Sequence, residues 1–92
     1  MPARVTISVK SDGELEIWLN PEGRDQLVHA LQALNVSKDH FHLGTWGGDI
    51  ELSAVSYRPT DKIVDTAKVL FRPDEWDQRY FPHVVANESG NG

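Results

Sequence analysis

Two histidines separated by one residue, His40 and His42, have the spacing in this sequence that best suits metal chemistry. On a β-strand, residues i and i+2 point to the same face, so both imidazoles would reach one ion. Zinc needs a third protein ligand, and His83, His29 or Glu51 could supply it, although no spacing requires this. Two surface or interface histidines explain the pair more simply. We therefore predict no metal site and no cofactor.

Motifs of known catalytic chemistry do not occur in the chain. No Ser/His/Asp order, zinc-protease HExxH motif, phosphate-binding glycine-rich loop or dinucleotide fingerprint is found. The sequence contains no cysteine, which excludes disulfides, thiolate zinc sites and a cysteine nucleophile. The glycines around Trp46 are typical of turns. We predict a protein that is not an enzyme, and a small histidine-dependent acid–base enzyme is the least favoured alternative.

The balance of charge narrows the class of partner. Nine Lys and Arg stand against fourteen Asp and Glu, which gives a formal net charge of −5, and the basic residues are scattered. This pattern argues against a nucleic-acid partner and favours a basic protein. No apolar run approaches the roughly 20 residues of a membrane span. Because no secretory leader opens the chain, we expect a cytoplasmic protein without membrane contact.

Alternation of apolar and polar residues predicts the strands that would position these groups. Residues 5–9 and 15–19 alternate on either side of a Ser-Asp-Gly turn, which predicts a β-hairpin. Residues 40–46 and 50–54 alternate around Gly-Gly-Asp and predict a second hairpin, and residues 67–71 predict a further strand.

Helix signals occur at two places in the sequence. Asn20 followed by Pro21 predicts an N-cap, and an apolar stripe at helical spacing follows it: Leu27, Ala30, Leu31 and Leu34. Asn35 is the predicted left-handed C-cap. A second, short helix should open at Pro73-Asp74-Glu75 and place Trp76 in the core.

The resulting order, β-β-α-β-β-β-α, predicts an α+β domain over residues 1–85 with a disordered tail at 86–92. About five strands would form one antiparallel sheet, with the long helix packed on one face and residues 81–85 as a last strand or extended arm. The other face would stay open, and alternation places a Trp, carboxylates and imidazoles on it: Thr6, Ser8, Glu14, Glu16, Trp18, His40, His42, Glu51 and Ser53. An exposed Trp suggests a binding surface.

Several stretches carry a resemblance to a known family. They read DHFHLGTW at 39–46, YRP at 57–59, DK at 61–62, KVLFRPDEWD at 68–77 and YFPH at 80–83, with an Asn-x-Glu-Gly-Arg-Asp helix opening at 20–25. This set resembles the predicted immunity-protein family numbered thirty-two of bacterial polymorphic toxin systems, over about residues 5–85. The resemblance implies a small cytoplasmic protein that binds and neutralises a cognate toxin domain, with no catalytic residue to transfer.

We accordingly predict a toxin-neutralising immunity protein that occludes a basic toxin domain, such as a nuclease. The alternative is a non-enzymatic protein- or ligand-binding module unrelated to toxins, dimerising through the open sheet. The predicted partner-binding residues combine aromatic anchors with charged and imidazole groups: Trp18, Glu16, His40, His42, Trp46, Glu51, Asp74, Glu75 and Asp77.

Overall fold

The structure, a computed structural model, describes residues 1–91 and confirms the α+β class. The elements follow one another as β1 (Val5–Val9), β2 (Leu15–Leu19), α1 (Pro21–Gln32), β3 (His40–Gly44), β4 (Ile50–Glu51), β5 (Lys62–Ile63), β6 (Thr66–Leu70), α2 (Asp74–Tyr80) and α3 (Pro82–Asn91). No helix in this part of the chain combines the length and apolar character needed to cross a membrane.

The strands of the described residues form two three-stranded sheets, so the prediction of one antiparallel sheet with about five strands is wrong. The first sheet has the order β2-β1-β5 and the second has the order β4-β3-β6. Two different segments bond to the same edge of β1. Val5 O accepts from Ser53 N at 2.8 Å, and Ile7 O accepts from Val64 N at 2.9 Å. Strand β5 therefore pairs with β1 in the first sheet, and the next strand along the chain, β6, pairs with β3 in the second sheet.

The first predicted hairpin is confirmed as the antiparallel pair β1–β2, whereas the second is wrong because β3 and β4 are parallel. Gly47 and Gly48 both have positive φ, at 131° and 103°, a region that glycine occupies without steric cost. They turn the chain back so that Asp49 N donates to His42 O and Leu52 N donates to Gly44 O.

The start of α1 is tied to the start of β1 by Asn20, the predicted N-cap. Asn20 Oδ1 accepts from Gly23 N at 2.7 Å and from Arg4 N at 2.8 Å. Gly23 is buried in the first turn, where a Cβ would overlap the carbonyl oxygen of Arg4. The close approach of helix and strand therefore requires glycine at this position.

The end of α1 differs from the prediction. Ala33 is the C-cap residue and is right-handed, and no residue other than glycine has positive φ among the described residues. Asn35 instead closes a separate turn, in which its Oδ1 accepts from Ser37 N and Lys38 N. Asn suits both structures, because it enters the left-handed region more easily than most residues and its side chain also accepts from backbone N–H groups in turns. The sequence therefore did not distinguish them.

The core draws on both sheets and consists of six buried side chains: Val5, Ile7, Phe41, Leu43, Ile50 and Leu52. From α1, Leu27, Ala30 and Leu34 pack against it. The three apolar side chains of β2, which alternation places opposite the predicted open face, remain largely exposed: Leu15 at 56%, Ile17 at 52% and Leu19 at 40%. The helix therefore covers only part of the first sheet.

The C-terminal helices pack against each other. Helix α2 is confirmed, but Trp76 is half-buried, so its predicted place in the core is wrong. Residues 81–85, the predicted last strand or arm, lie mostly in α3, which continues to Asn91. Part of the predicted tail, Gly92, lies outside the described residues. The radius of gyration is 15.9 Å, against about 12 Å for a compact domain of this length, so the molecule is elongated.

Candidate partner-binding site

The nine predicted partner-binding residues lie in three places rather than on one face. Two belong to the first sheet, four to the second sheet and its adjoining loop, and three to α2: Trp18 and Glu16; His40, His42, Trp46 and Glu51; Asp74, Glu75 and Asp77. Trp18 lies on the first sheet, whereas His40, His42 and Glu51 lie on the second, so alternation within a single sheet does not place them together.

Trp18 is half-buried and has partners within its own chain. Its indole stacks on the ring of Tyr57, with centroids 4.2 Å apart and planes inclined by 9°. Its Nε1 donates to Ser8 Oγ at 3.3 Å, and the Arg58 guanidinium carbon lies 5.1 Å from the ring centroid. Thr6, which pairs with Trp18 in register, and Ser8 are therefore fully buried, contrary to the prediction that they face solvent.

Glu16 is held by the segment 53–61, which we call the cover loop. Both nitrogens of the Arg58 fork bond to the Glu16 carboxylate, and Arg58 Nη1 also donates to Asp61 Oδ2 at 2.8 Å. The hydrogen bond from Arg58 lowers the pKa of Glu16, and the two carboxylates raise the pKa of Arg58. The planar fork of Arg58 was the signal available in the sequence, since it suits bidentate carboxylate pairing.

The second sheet presents an outer face that the described residues leave exposed. His40 and His42 point outward between Phe41 and Leu43, which are buried. Their partners on β6 are Leu70 and Lys68, and Glu51 pairs with Gly44 at the far edge. We define His40, His42, Glu51 and Lys68, together with the adjacent Trp46, as the Trp46 face.

The histidines of this face interact with each other and with one carboxylate. His40 Nδ1 lies 2.7 Å from Asp39 Oδ1, and this hydrogen bond lowers the pKa of Asp39. The His40 and His42 rings meet edge to face, with centroids 5.1 Å apart. Within the described residues no three His, Asp or Glu side chains are grouped closely enough to hold a metal ion.

Trp46 is the most exposed of the three tryptophans, with 77% of its maximum surface accessible to solvent. It follows β3 directly and borders a hollow of about 370 Å³ that His42, Asp49 and Thr66 also line. The backbone below is fixed, because His42 N donates to Asp49 Oδ2 at 2.8 Å. A large, amphipathic ring is therefore displayed in solvent from an anchored turn.

The acidic residues of α2 are only partly available. Asp77 accepts from Arg72 Nε at 3.0 Å and lies 2.9 Å from Nη2. The guanidinium carbon of Arg72 lies 5.7 Å from the ring centroid of Trp76. Asp74 and Glu75 are exposed in the first turn, where negative charge complements the helix dipole.

Comparison with known proteins finds no matching family, no similar curated protein and no similar solved structure. The resemblance to an immunity-protein family therefore stays a prediction from the sequence.

Proposed function

We propose that this protein is an immunity protein that neutralises a basic toxin domain by binding it, and that the Trp46 face is the contact surface. The observation that carries the proposal is the 77% exposure of Trp46. Trp is enriched among residues that dominate binding energy, because it buries a large area and also donates a hydrogen bond. Trp18, which the sequence also suggested as an anchor, instead stacks on Tyr57 and lies beside Arg58.

The charge of the chain supports a basic partner. A formal net charge of −5 would attract a positively charged domain and raise the rate of association. Glu51 on the Trp46 face, and Asp74 and Glu75 at the exposed start of α2, would meet Lys and Arg of the toxin. Neutralisation would follow from occlusion, since the chain carries no recognised catalytic motif.

A second candidate function is a binding module unrelated to toxins, a homodimer included. The exposed apolar side chains of β2 favour it, because a solvated monomer gains nothing from a row of exposed Leu and Ile on a strand.

The proposal is tested by producing this protein in a bacterial host together with the product of the neighbouring gene, which the immunity function requires to be a toxin. We expect wild type to restore growth and Trp46→Ala to weaken binding by about 2 kcal/mol or more, measured by titration calorimetry. Val55→Ala is the matched control, since Val55 is 75% exposed but lies on the cover loop. Growth that is not restored by wild type would contradict the immunity function.

A further contrast separates charge from anchoring. Glu51→Gln should lower the association rate, and the difference from wild type should shrink as salt is added. Trp46→Ala should mainly raise the dissociation rate. If neither substitution changes binding while the toxin is still neutralised, the contact surface is not the Trp46 face.

A further inference from the structure

Strand β2 is the outer strand of the first sheet, and no other segment of residues 1–91 pairs with its free edge. The residues on either side of β2, Glu14 and Asn20, direct their backbone groups toward β1, since Lys10 N donates to Glu14 O and Asn20 N donates to Arg4 O. In an antiparallel ladder the direction alternates along the strand. The backbone groups directed outward therefore belong to Leu15, Ile17 and Leu19.

The usual protection of an edge strand is missing here. Natural sheets shield such edges with Pro, Lys, a bulge or a covering element. Strand β2 reads Leu-Glu-Ile-Trp-Leu, and its ladder with β1 is regular over all five residues. Both of its charged or polar-tipped side chains, Glu16 and Trp18, are engaged with the cover loop on the opposite face.

The same residues border an apolar groove. A cavity of about 360 Å³ opens between β2, α1 and the second sheet, and its lining exposes no polar surface. Leu15 and Ile17 line it from β2, and Leu27 and Leu31 line it from α1. Leu31 is 46% exposed although it belongs to the apolar stripe of the helix. An open edge and an open apolar groove thus coincide at one place.

We propose that a second copy of this chain occupies this edge, with β2 pairing antiparallel to β2 of the partner about a twofold axis at Ile17. This register places Leu15 opposite Leu19 and Ile17 opposite its own copy, so every outward backbone group meets another. The first sheet of one copy and the first sheet of the other then form one continuous sheet. The partly exposed Leu31 of each copy lies on α1 beside the paired strands, and the interface covers the groove that it lines.

The charge of Glu16 and the missing N–H of Pro21 favour this register over its two neighbours. With the axis at Ile17, Glu16 stands opposite Trp18, whereas an axis at Glu16 would oppose two carboxylates, which is destabilising. An axis at Trp18 would place Leu15 opposite Pro21, which has no N–H to donate. The Ile17 register is therefore the one that pairs all three apolar residues and leaves no like charges opposed. The Trp46 face lies on the other sheet, so this inference does not depend on the proposed function.

The test is sedimentation equilibrium of the full chain over a range of concentrations, with charged substitutions that probe the register. We expect wild type to dimerise and Leu15→Lys or Leu19→Glu alone to raise the dissociation constant about thirtyfold or more. Mixing the two variants should restore a heterodimer, seen by native mass spectrometry, because Leu15→Lys then faces Leu19→Glu across the axis. Val55→Lys, an equally drastic change on the cover loop, should leave dimerisation unchanged.

Hydrogen exchange gives a readout of the backbone itself. The amides of Leu15, Ile17 and Leu19 should become protected as the concentration rises through the dissociation constant. A chain that stays monomeric at millimolar concentration would overturn the proposal. So would a dimer that leaves these amides unprotected and is not restored by mixing, since the groove would then hold another segment, such as α3 of the second copy. Circular dichroism verifies that each single variant is folded, and the mixing result is decisive even if one variant is less stable.

Discussion

The indole of Trp18 lies flat on the ring of Tyr57, with 4.2 Å between the ring centroids, and this stack joins β2 to the cover loop. Arg58 extends the contact by lying over the indole and bonding to Glu16. The polar face of β1 is thereby sealed, and Thr6 Oγ1 is buried without a hydrogen-bond partner within the described residues. A surface that strand alternation assigns to solvent is in fact the floor of a second, small packing layer.

The stack predicts a structural role for Trp18. Trp18→Ala should lower the free energy of unfolding by about 2–3 kcal/mol, somewhat less than for a fully buried Trp, because the ring is half-buried. Urea denaturation measures the loss. Trp46→Ala is the matched control and should change stability by about 0.5 kcal/mol or less, since that ring is exposed. Equal losses for the two variants would contradict the assignment of one Trp to packing and the other to binding.

Gly23 gives a prediction whose sign opposes the usual rule. Replacing Gly by Ala inside a helix ordinarily stabilises it by about 0.5–1 kcal/mol. Here a Cβ would overlap Arg4 O, so Gly23→Ala should instead destabilise the protein by about 1–3 kcal/mol. Thermal unfolding checks this, with Asp25→Ala, an exposed change on the same helix, as the control. A rise in the melting temperature of Gly23→Ala would show that α1 is not held against the start of β1.

Two leucines test where the core ends. Leu52 is 2% exposed in the core, whereas Leu31 on α1 is only about half covered in the monomer. Leu52→Ala should cost about 2–5 kcal/mol and Leu31→Ala about 1 kcal/mol. Both are measured by urea denaturation at concentrations where the chain is monomeric. A larger loss for Leu31→Ala would mean that Leu31 is buried in the monomer, as its place on the apolar stripe of α1 indicates.

Local signals in the sequence predicted the local structure well. The hairpin of β1 and β2, the Asn20 cap, the start of α2 and the outward direction of His40 and His42 are all present. Each of these depends on residues within a few positions of one another, where alternation and capping chemistry act directly.

Pairing between distant segments could not be predicted in the same way. Alternation shows that residues 40–44 form a strand, but it carries no information about which strand lies beside it or in which direction. The candidate site suffered for this reason, because Trp18 and His42 were joined on one surface by an assumed sheet. The cover loop was missed because Tyr57 and Arg58 act on β2 from about 40 residues away, with no periodic pattern to mark them.

The ion pair between Glu16 and Arg58 predicts a stability that depends on pH. Because the hydrogen bond from Arg58 lowers the pKa of Glu16 in the folded state, the unfolded chain takes up this proton first as the pH falls. The contribution of the pair is therefore fully present at neutral pH, begins to decline near the ordinary value of 4.5, and is lost as the pH falls through the lower, folded pKa.

A double-mutant cycle with Glu16→Gln and Arg58→Gln isolates this term from the contacts that Arg58 makes with Asp61 and Trp18. Urea denaturation should show a favourable coupling at pH 7 that is smaller at pH 3, which lies below the ordinary pKa of 4.5. The matched cycle with Glu14→Gln and Arg58→Gln should show no coupling at either pH, since Glu14 pairs with Lys10 instead. A Glu16–Arg58 coupling that is unchanged at pH 3 would mean that packing of the two side chains, and not their charge, holds the cover loop on the sheet.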